Sequence, residues 1–342
     1  MRILITGGAG FIGSHLCERL LHAGHTVLVI DDLSTGSLHN LAAVRQHARL
    51  TVHVDSIFNR SLMAELVQQT EIVFHLAAAV GVRTIIEAPV RTIETNVGGT
   101  ELLLELAAAH NRRVVLTSTS EVYGKSNKLP FQEDDDLVLG STYNARWSYA
   151  CSKIIDEFLA LAYFRERGLP ATVVRLFNTV GPRQTGRYGM VLPRFVQQAL
   201  HNEPITVNGT GEQTRCFSHV RDIVTGLVEC ALKQGTVGEI FNLGTTEEVS
   251  INALAARVRA LTGSSSAIEH IPYREAYGPG FEDMARRVPD VRKAKQRFGF
   301  EARTRLDAII RDVAEHMQRE EAAEQATSAL TALASPAAEP LS

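Results

Sequence analysis

The chain has 342 residues, 45% of them hydrophobic and 21% charged, with a net charge of −3. That length can bury a large core and fits one α/β unit with a second lobe. The near-balanced charge argues against nucleic acid or an anionic membrane as a partner. In chain order, Arg2-Ile3-Leu4-Ile5-Thr6 reads as a short apolar strand. A turn, Gly7-Gly8-Ala9-Gly10-Phe11-Ile12-Gly13, follows it. Residues 14–23 then have helical periodicity, with Gly24 as a stop. Glycines at 7, 10 and 13 permit a tight turn, close approach of the backbone to a pyrophosphate and close helix–strand contact. The helix start supplies unpaired N–H groups for the phosphates. The second strand, Thr26-Val27-Leu28-Val29-Ile30, ends at Asp31, where a carboxylate accepts from the adenosine ribose hydroxyls and repels an added phosphate. No Arg or Lys follows before Arg45, so NAD is expected over NADP.

Further strands are predicted at 50–54, 71–76, 113–118 and 171–176, and helices at 60–69, 89–110 and 148–168. This alternation predicts a Rossmann-type doubly wound parallel sheet, with ligands bound beyond the C-terminal strand ends. Thr117 to Glu121 and Asn178 fall just past such ends. Beyond Asn178 the pattern breaks into a Gly/Pro/Arg-rich loop, 181–189. After about residue 319, Ala, Glu, Ser, Thr and Pro dominate, and 319–342 is expected to be a disordered tail.

Within the helix at 148–168, Tyr149 and Lys153 lie four apart and share a face. An ammonium beside a phenol is expected to lower the phenol's pKa and make a general base. Tyr-x-x-x-Lys alone occurs in many surface helices; the dinucleotide turn and the Ser/Thr cluster upstream set this pair apart. Both helices, 89–110 and 148–168, are apolar round most of their circumference, through Leu102, Leu103, Leu104 and Leu106 in the first and Ile154, Ile155, Phe158, Leu159, Leu161 and Ala162 in the second. Such helices are normally buried, so a second copy is expected to cover the face turned away from the sheet. The four cysteines form no Cys-x-x-Cys pair, no metal site is expected, and Cys17 and Cys151 read as small buried hydrophobes. The first strand starts at residue 2, without a charged leader, and no apolar run reaches the ~20 residues of a membrane helix. A soluble cytoplasmic protein is the expectation.

These motifs, with His75-Leu76-Ala77-Ala78, Asn96-Val97-Gly98-Gly99-Thr100, Thr117-Ser118-Thr119-Ser120-Glu121-Val122-Tyr123-Gly124 and Arg175-Leu176-Phe177-Asn178-Thr179-Val180-Gly181-Pro182-Arg183-Gln184, run in the order seen in extended short-chain dehydrogenases/reductases that modify nucleotide sugars. The chain resembles that family over roughly residues 1–315. The resemblance implies an NAD-binding domain of 1–177 and 216–245 and a smaller α/β substrate-binding lobe of 178–215 and 246–318. It implies cofactor contacts from Gly7, Gly10, Phe11, Ile12, Gly13, Asp31, Ala77, Tyr149 and Lys153. It makes Tyr149 the base for a sugar hydroxyl, Lys153 its support and a ribose ligand, and Thr119 a donor to the reacting oxygen. Asn96 takes a structural role. Asn178, Arg215 and Arg287 are expected at the diphosphate, with Arg183 and Arg187 as weaker candidates. A homodimer through the helices at 89–110 and 148–168 is implied as well.

The run Thr119-Ser120-Glu121 bears on the reaction. The resembled 4,6-dehydratases carry an Asp as general acid where this chain has Ser120. Thr-Ser-Glu before Val-Tyr-Gly, the passage Asn144-Ala145-Arg146-Trp147-Ser148-Tyr149, and the run from Tyr277-Gly278-Pro279-Gly280-Phe281-Glu282-Asp283 to Arg286-Arg287-Val288-Pro289-Asp290 resemble UDP-glucuronate decarboxylases. In that reaction Glu121 strains the substrate carboxylate or handles a proton. A UDP-sugar 4-epimerase needs the same Tyr149, Lys153 and Thr119 and no acid at 121, and Ala79-Val80-Gly81-Val82 replaces prolines found in many decarboxylases. The two readings stand close, with UDP-glucuronate decarboxylation slightly ahead. A non-catalytic NAD-binding regulator is the reading of another class, and such proteins usually lack the tyrosine or the lysine.

Overall fold

The computed structural model describes residues 1–81, 85, 87–186, 189–277 and 282–334, with backbone alone for 327–334. Arg187, Val82, the run 278–281 and residues 335–342 lie outside the described residues. The chain runs β1 (Arg2–Thr6), α1 (Phe11–His22), β2 (Thr26–Asp31), β3 (Leu50–Val54), α2 (Arg60–Gln68), β4 (Ile72–His75), α3 (Pro89–Ala109), β5 (Arg113–Thr119), α4 (Ser148–Arg167) and β6 (Ala171–Leu176). It continues through β7 (Thr179–Val180), α5 (Val191–Leu200), β8 (Ile205–Asn208), β9 (Thr214–Cys216), β10 (Ser218–His219), α6 (Val220–Leu232), β11 (Ile240–Leu243), β12 (Glu248–Ser250), α7 (Ile251–Thr262), β13 (Ile268–Ile271), α8 (Tyr273–Tyr277), α9 (Arg292–Phe298) and α10 (Leu306–Ala334).

Seven strands form one sheet in the order β11-β6-β5-β4-β1-β2-β3, every pairing parallel. Strands such as β1, β2 and β4 are near-continuous apolar runs because helices cover both faces. On one face, Leu16 and Leu20 of α1 meet Ile223 and Leu227 of α6. On the other, Met63 and Leu66 of α2, Leu103 and Leu104 of α3 and Ala160 of α4 close the core. Strand order reverses between β1 and β4, and the crevice at that switch point is where open α/β sheets bind ligands. A separate core joins Phe195 of α5, Leu254 of α7 and Ile309 and Ile310 of α10 beside the β8–β13 pair.

Three expectations are corrected. Residues 291–302, assigned by sequence to the lobe, pack on the large domain, where Phe298 meets Phe241 edge-on at 5.1 Å and Phe300 is buried. The run from 319 is helical as far as Ala334 and therefore no disordered tail over that stretch. Its alanines and glutamates are good helix formers, and Glu320 and Glu321 reach His39 and His201. Cys151 is exposed on α4 rather than buried, while Cys17 is buried. On the outer surface of α3 and α4, Val90, Ile93, Ile155 and Phe158 are exposed, Phe158 at 65%. No helix among the described residues is long and apolar enough to cross a membrane.

A buried polar network ties the sheet to α4 beneath the strand ends. Arg175 of β6 donates to Glu157 of α4 from Nη2 at 2.7 Å and from Nε at 3.0 Å, and Ser118 of β5 donates to the same carboxylate. Arg175 also reaches the Tyr123 hydroxyl at 2.9 Å, and Tyr123 donates to Asn242 of β11 at 2.8 Å. Arg175→Met would strand the Glu157 carboxylate, so a loss of about 3–5 kcal/mol is expected in urea unfolding. A loss below about 1 kcal/mol would mean that Glu157 is not held by Arg175 in this way.

Candidate active site

A cleft of about 820 Å³ opens along the C-terminal ends of the strands and continues into the lobe. Its floor at one end is the β1–α1 turn. Gly7 sits at φ +72°, and a Cβ there would lie 2.8 Å from the Ala77 nitrogen. A Cβ on Gly13 would lie 2.2 Å from the Gly7 carbonyl oxygen. Only glycine permits this packing, which leaves the start of α1 open to a phosphate. Gly10, Phe11, Ile12 and Ala77 also line the cleft. Asp31 at the end of β2 accepts from the backbone of Ala9 and Leu33, each at 2.9 Å. Burial pushes its carboxyl up, and these backbone N–H groups partly offset that. A fixed acceptor at the β2 end beside a glycine cradle is the donor–acceptor set that a dinucleotide with free ribose hydroxyls requires.

Near the middle of the cleft, β5 and the start of α4 bring Thr119, Tyr149 and Lys153 together. Tyr149 shares a hydrogen bond with Thr119, whose hydroxyl also caps the turn Ser120–Tyr123 by accepting from the Glu121 nitrogen at 3.2 Å. Lys153 is buried and bonds Asp156 at 2.7 Å. Burial raises the Tyr149 phenol, the Glu121 carboxylate raises it further, and the Thr119 bond only partly opposes them. The phenol thus stands above its usual value here, against the expectation that it is lowered, and Lys153 is paired with Asp156 one turn along the same helix. Asn96 accepts from the Ala79 nitrogen at 2.8 Å and donates to the Ser152 hydroxyl at 3.1 Å, which pins the loop after β4 to α4. His75 hydrogen-bonds with the Thr6 hydroxyl at 2.8 Å, and burial drives its pKa down to about 3, leaving it neutral.

The lobe side is strongly charged. Glu121 bonds Arg146, and Arg287 reaches it at 3.4 Å. Burial opposes ionisation of Glu121, but Arg146, Arg287 and Arg215 outweigh it and hold the carboxyl at about 2. It is thus an anion at neutral pH in this structure. Arg215 pairs with Asp283 at 2.7 Å. Burial and the neighbouring Arg215 bring the Arg287 guanidinium down to about 10. Asn178 lines the cleft, with its buried side-chain oxygen lacking a hydrogen-bond partner among the described residues. Arg183 also lines it, but is tied to Ser14 at 3.2 Å and to Glu18 on α1 at 2.5 Å, so its guanidinium is committed to the domain seam.

Sequence reasoning singled out neither Arg146, Asp156 nor Asp283. The first two had a signal, since Arg146, Tyr149, Lys153 and Asp156 follow helical spacing along one face. Asp283 lies in a run that carried the family resemblance, but its pairing with Arg215 had no local signal, because the two are 68 positions apart.

Residues 4–313 match the family described as GDP-mannose 4,6 dehydratase. A UDP-N-acetyl-alpha-D-glucosaminuronate decarboxylase of Bacillus cytotoxicus is 45% identical over 300 residues, covering 86% of this chain and 91% of the relative. A UDP-glucuronic acid decarboxylase of Xenopus tropicalis is 35% identical over 319 residues, covering 93% of this chain and 72% of the relative. Among solved structures, a UDP-glucuronic acid 4-epimerase of Bacillus cereus, in complex with UDP-glucuronic acid and NAD, superposes with a TM-score of 0.85 at 27% identity, covering 94% of this chain and 100% of that one. With its seven-stranded parallel sheet, glycine cradle and Tyr149–Lys153 pair, the chain belongs to the GDP-mannose 4,6-dehydratase family of extended short-chain dehydrogenases/reductases.

Proposed function

We propose that this chain is an NAD-dependent decarboxylase of a UDP-linked uronic acid. The observation that carries this reading is the arrangement at Ser120 and Glu121. The dehydratase acid is replaced by a buried serine, and the neighbouring glutamate is locked as an anion by arginines beside Tyr149 and Thr119. No group at 120 or 121 can then protonate a leaving hydroxyl at neutral pH, which leaves oxidation at C4 without dehydration. The decarboxylase relatives support the same reaction. The 45% identity makes the 2-acetamido uronate the first substrate to test, with UDP-glucuronate second.

The residues divide the work as follows. The glycine turn and Asp31 bind NAD, which supplies a hydride acceptor when bound. Tyr149, acting in its phenolate form, takes the proton of the C4 hydroxyl, and Thr119 holds that oxygen. The resulting ketone is β to the C6 carboxylate. Breaking the C5–C6 bond releases carbon dioxide, and the bonding electron pair passes to the ketone as an enolate. Tyr149 and Thr119 donate to that oxyanion. Asn178, Arg215 and Arg287 hold the diphosphate, for which forked guanidinium donors are suited. The likeness to a UDP-glucuronic acid 4-epimerase favours a second reading, in which the keto sugar keeps its carboxylate and is reduced on the other face. We also assign a homodimer through α3 and α4, because exposed Val90, Ile93, Ile155 and Phe158 form the apolar surface that such pairing would cover.

With NAD and either UDP-uronate, carbon dioxide and a pentose or 4-keto pentose are expected by NMR, whereas an intact uronate epimerised at C4 would establish the second reading. Tyr149→Phe is expected to lower turnover by about 10²-fold or more while NAD affinity stays near wild type, and a near-wild-type rate would remove Tyr149 from its role. Asp31→Ala should weaken NAD and narrow the NAD:NADP affinity ratio, since the ribose acceptor and the repelling charge are both lost. An unchanged ratio in calorimetry would refute the assignment. Sedimentation at micromolar concentration should give a dimer, and a clean monomer would rule out the α3–α4 pairing.

A further inference from the structure

Arg146 is 2% exposed and is the largest of the fully buried side chains. It stands at the end of the 144–147 segment, one turn before Tyr149, and bonds the Glu121 carboxylate. Its other terminal nitrogen lies 3.8 Å from Asp283, which in turn pairs with Arg215 of β9 at 2.7 Å. One guanidinium therefore joins the turn after β5 to the segment that carries Arg287, and Asp283 on that segment continues the link to the lobe strand β9. Three cations, Arg146, Arg215 and Arg287, face two anions, Glu121 and Asp283. Tyr149 faces Glu121 from α4.

We propose that Arg146 is a positioning residue for the reaction: its guanidinium fixes the Glu121 carboxylate beside the Tyr149 and Thr119 hydroxyls and links it, through Asp283, to Arg215. Without it, the only remaining contact of Glu121 with a cation among the described residues is Arg287 at 3.4 Å. A desolvated carboxylate held by one long contact protonates more readily. A protonated Glu121 no longer binds Arg287, which frees that arginine to move, and the negative charge beside Tyr149 is lost. Arg146 thus acts through Glu121, not on the substrate, and sets the acidic edge of the working pH range. The inference rests on the reading of Tyr149 and Thr119 as the reacting pair, but its decisive measurement does not need turnover.

The test uses the full chain as Arg146→Met and Arg146→Lys. The Glu121 carboxyl is followed by carbon-13 NMR titration, its signal assigned by disappearance in Glu121→Gln, and kcat and kcat/KM with either UDP-uronate are followed against pH. In Arg146→Met, the Glu121 midpoint and the acidic limb of kcat should both move up by about one pH unit or more. Arg146→Lys keeps the charge but loses the fork, and should move both in the same direction by less. An unmoved Glu121 titration in a folded Arg146→Met protein would overturn the proposal. Should that variant fail to fold, an unmoved titration in Arg146→Lys would overturn it equally. If wild-type protein turns over neither uronate, the decarboxylase reading fails, and the titration still decides the role of Arg146.

Discussion

The contact of Glu121 with Arg146 is the interaction on which the site's arrangement depends. Both groups are almost out of water, and removing either would leave a buried charge, which costs several kcal/mol. The pair therefore has few alternatives. It locks the turn after β5 to the entry of α4, and so fixes where Thr119 stands relative to Tyr149. Through Arg287 and Asp283 it also fastens a late segment of the chain to the large domain. The same carboxylate raises the Tyr149 phenol.

A second buried ion pair, Arg175 with Glu157, works behind the first. Glu157 lies one turn beyond Lys153 on α4 and receives a hydrogen bond from Ser118, the residue before Thr119. The first joins the turn after β5 to the entry of α4, and the second joins β5 itself to the body of α4. Their combined effect is rigidity where the chemistry requires fixed distances, achieved with polar contacts in a place where parallel strands end and apolar packing runs out.

The cleft combines two kinds of recognition. At the β1–β4 switch point the lining is backbone, a glycine turn whose value lies in missing side chains. Toward the lobe the lining is long cationic side chains, Arg146, Arg215 and Arg287, each already paired with an acid. That pairing keeps the guanidiniums aligned and limits the repulsion among three like charges. The contacts differ in strength: Arg215 holds Asp283 at 2.7 Å, while Arg287 reaches Glu121 only at 3.4 Å.

Local sequence determined the elements and the family. The runs at 50–54 and 171–176 become β3 and β6 with those bounds: β6 is apolar because both its faces are covered, and β3 alternates because it is the half-exposed edge strand. The glycine turn, Asp31 and the Tyr149–Lys153 spacing were legible because each works within a few residues of chain. What the sequence could not decide was which charges meet. Nothing near Glu121 announces Arg287, and nothing near Arg215 announces Asp283; the partners are 166 and 68 positions apart. Nor could local pattern say that Phe298 packs against Phe241 on the large domain, or that the alanine-rich run to Ala334 continues as helix. The ionisation of Glu121 and of Tyr149 follows from burial and from those distant partners. Desolvation and Coulomb interaction depend on distance in space, and only the folded chain sets that distance.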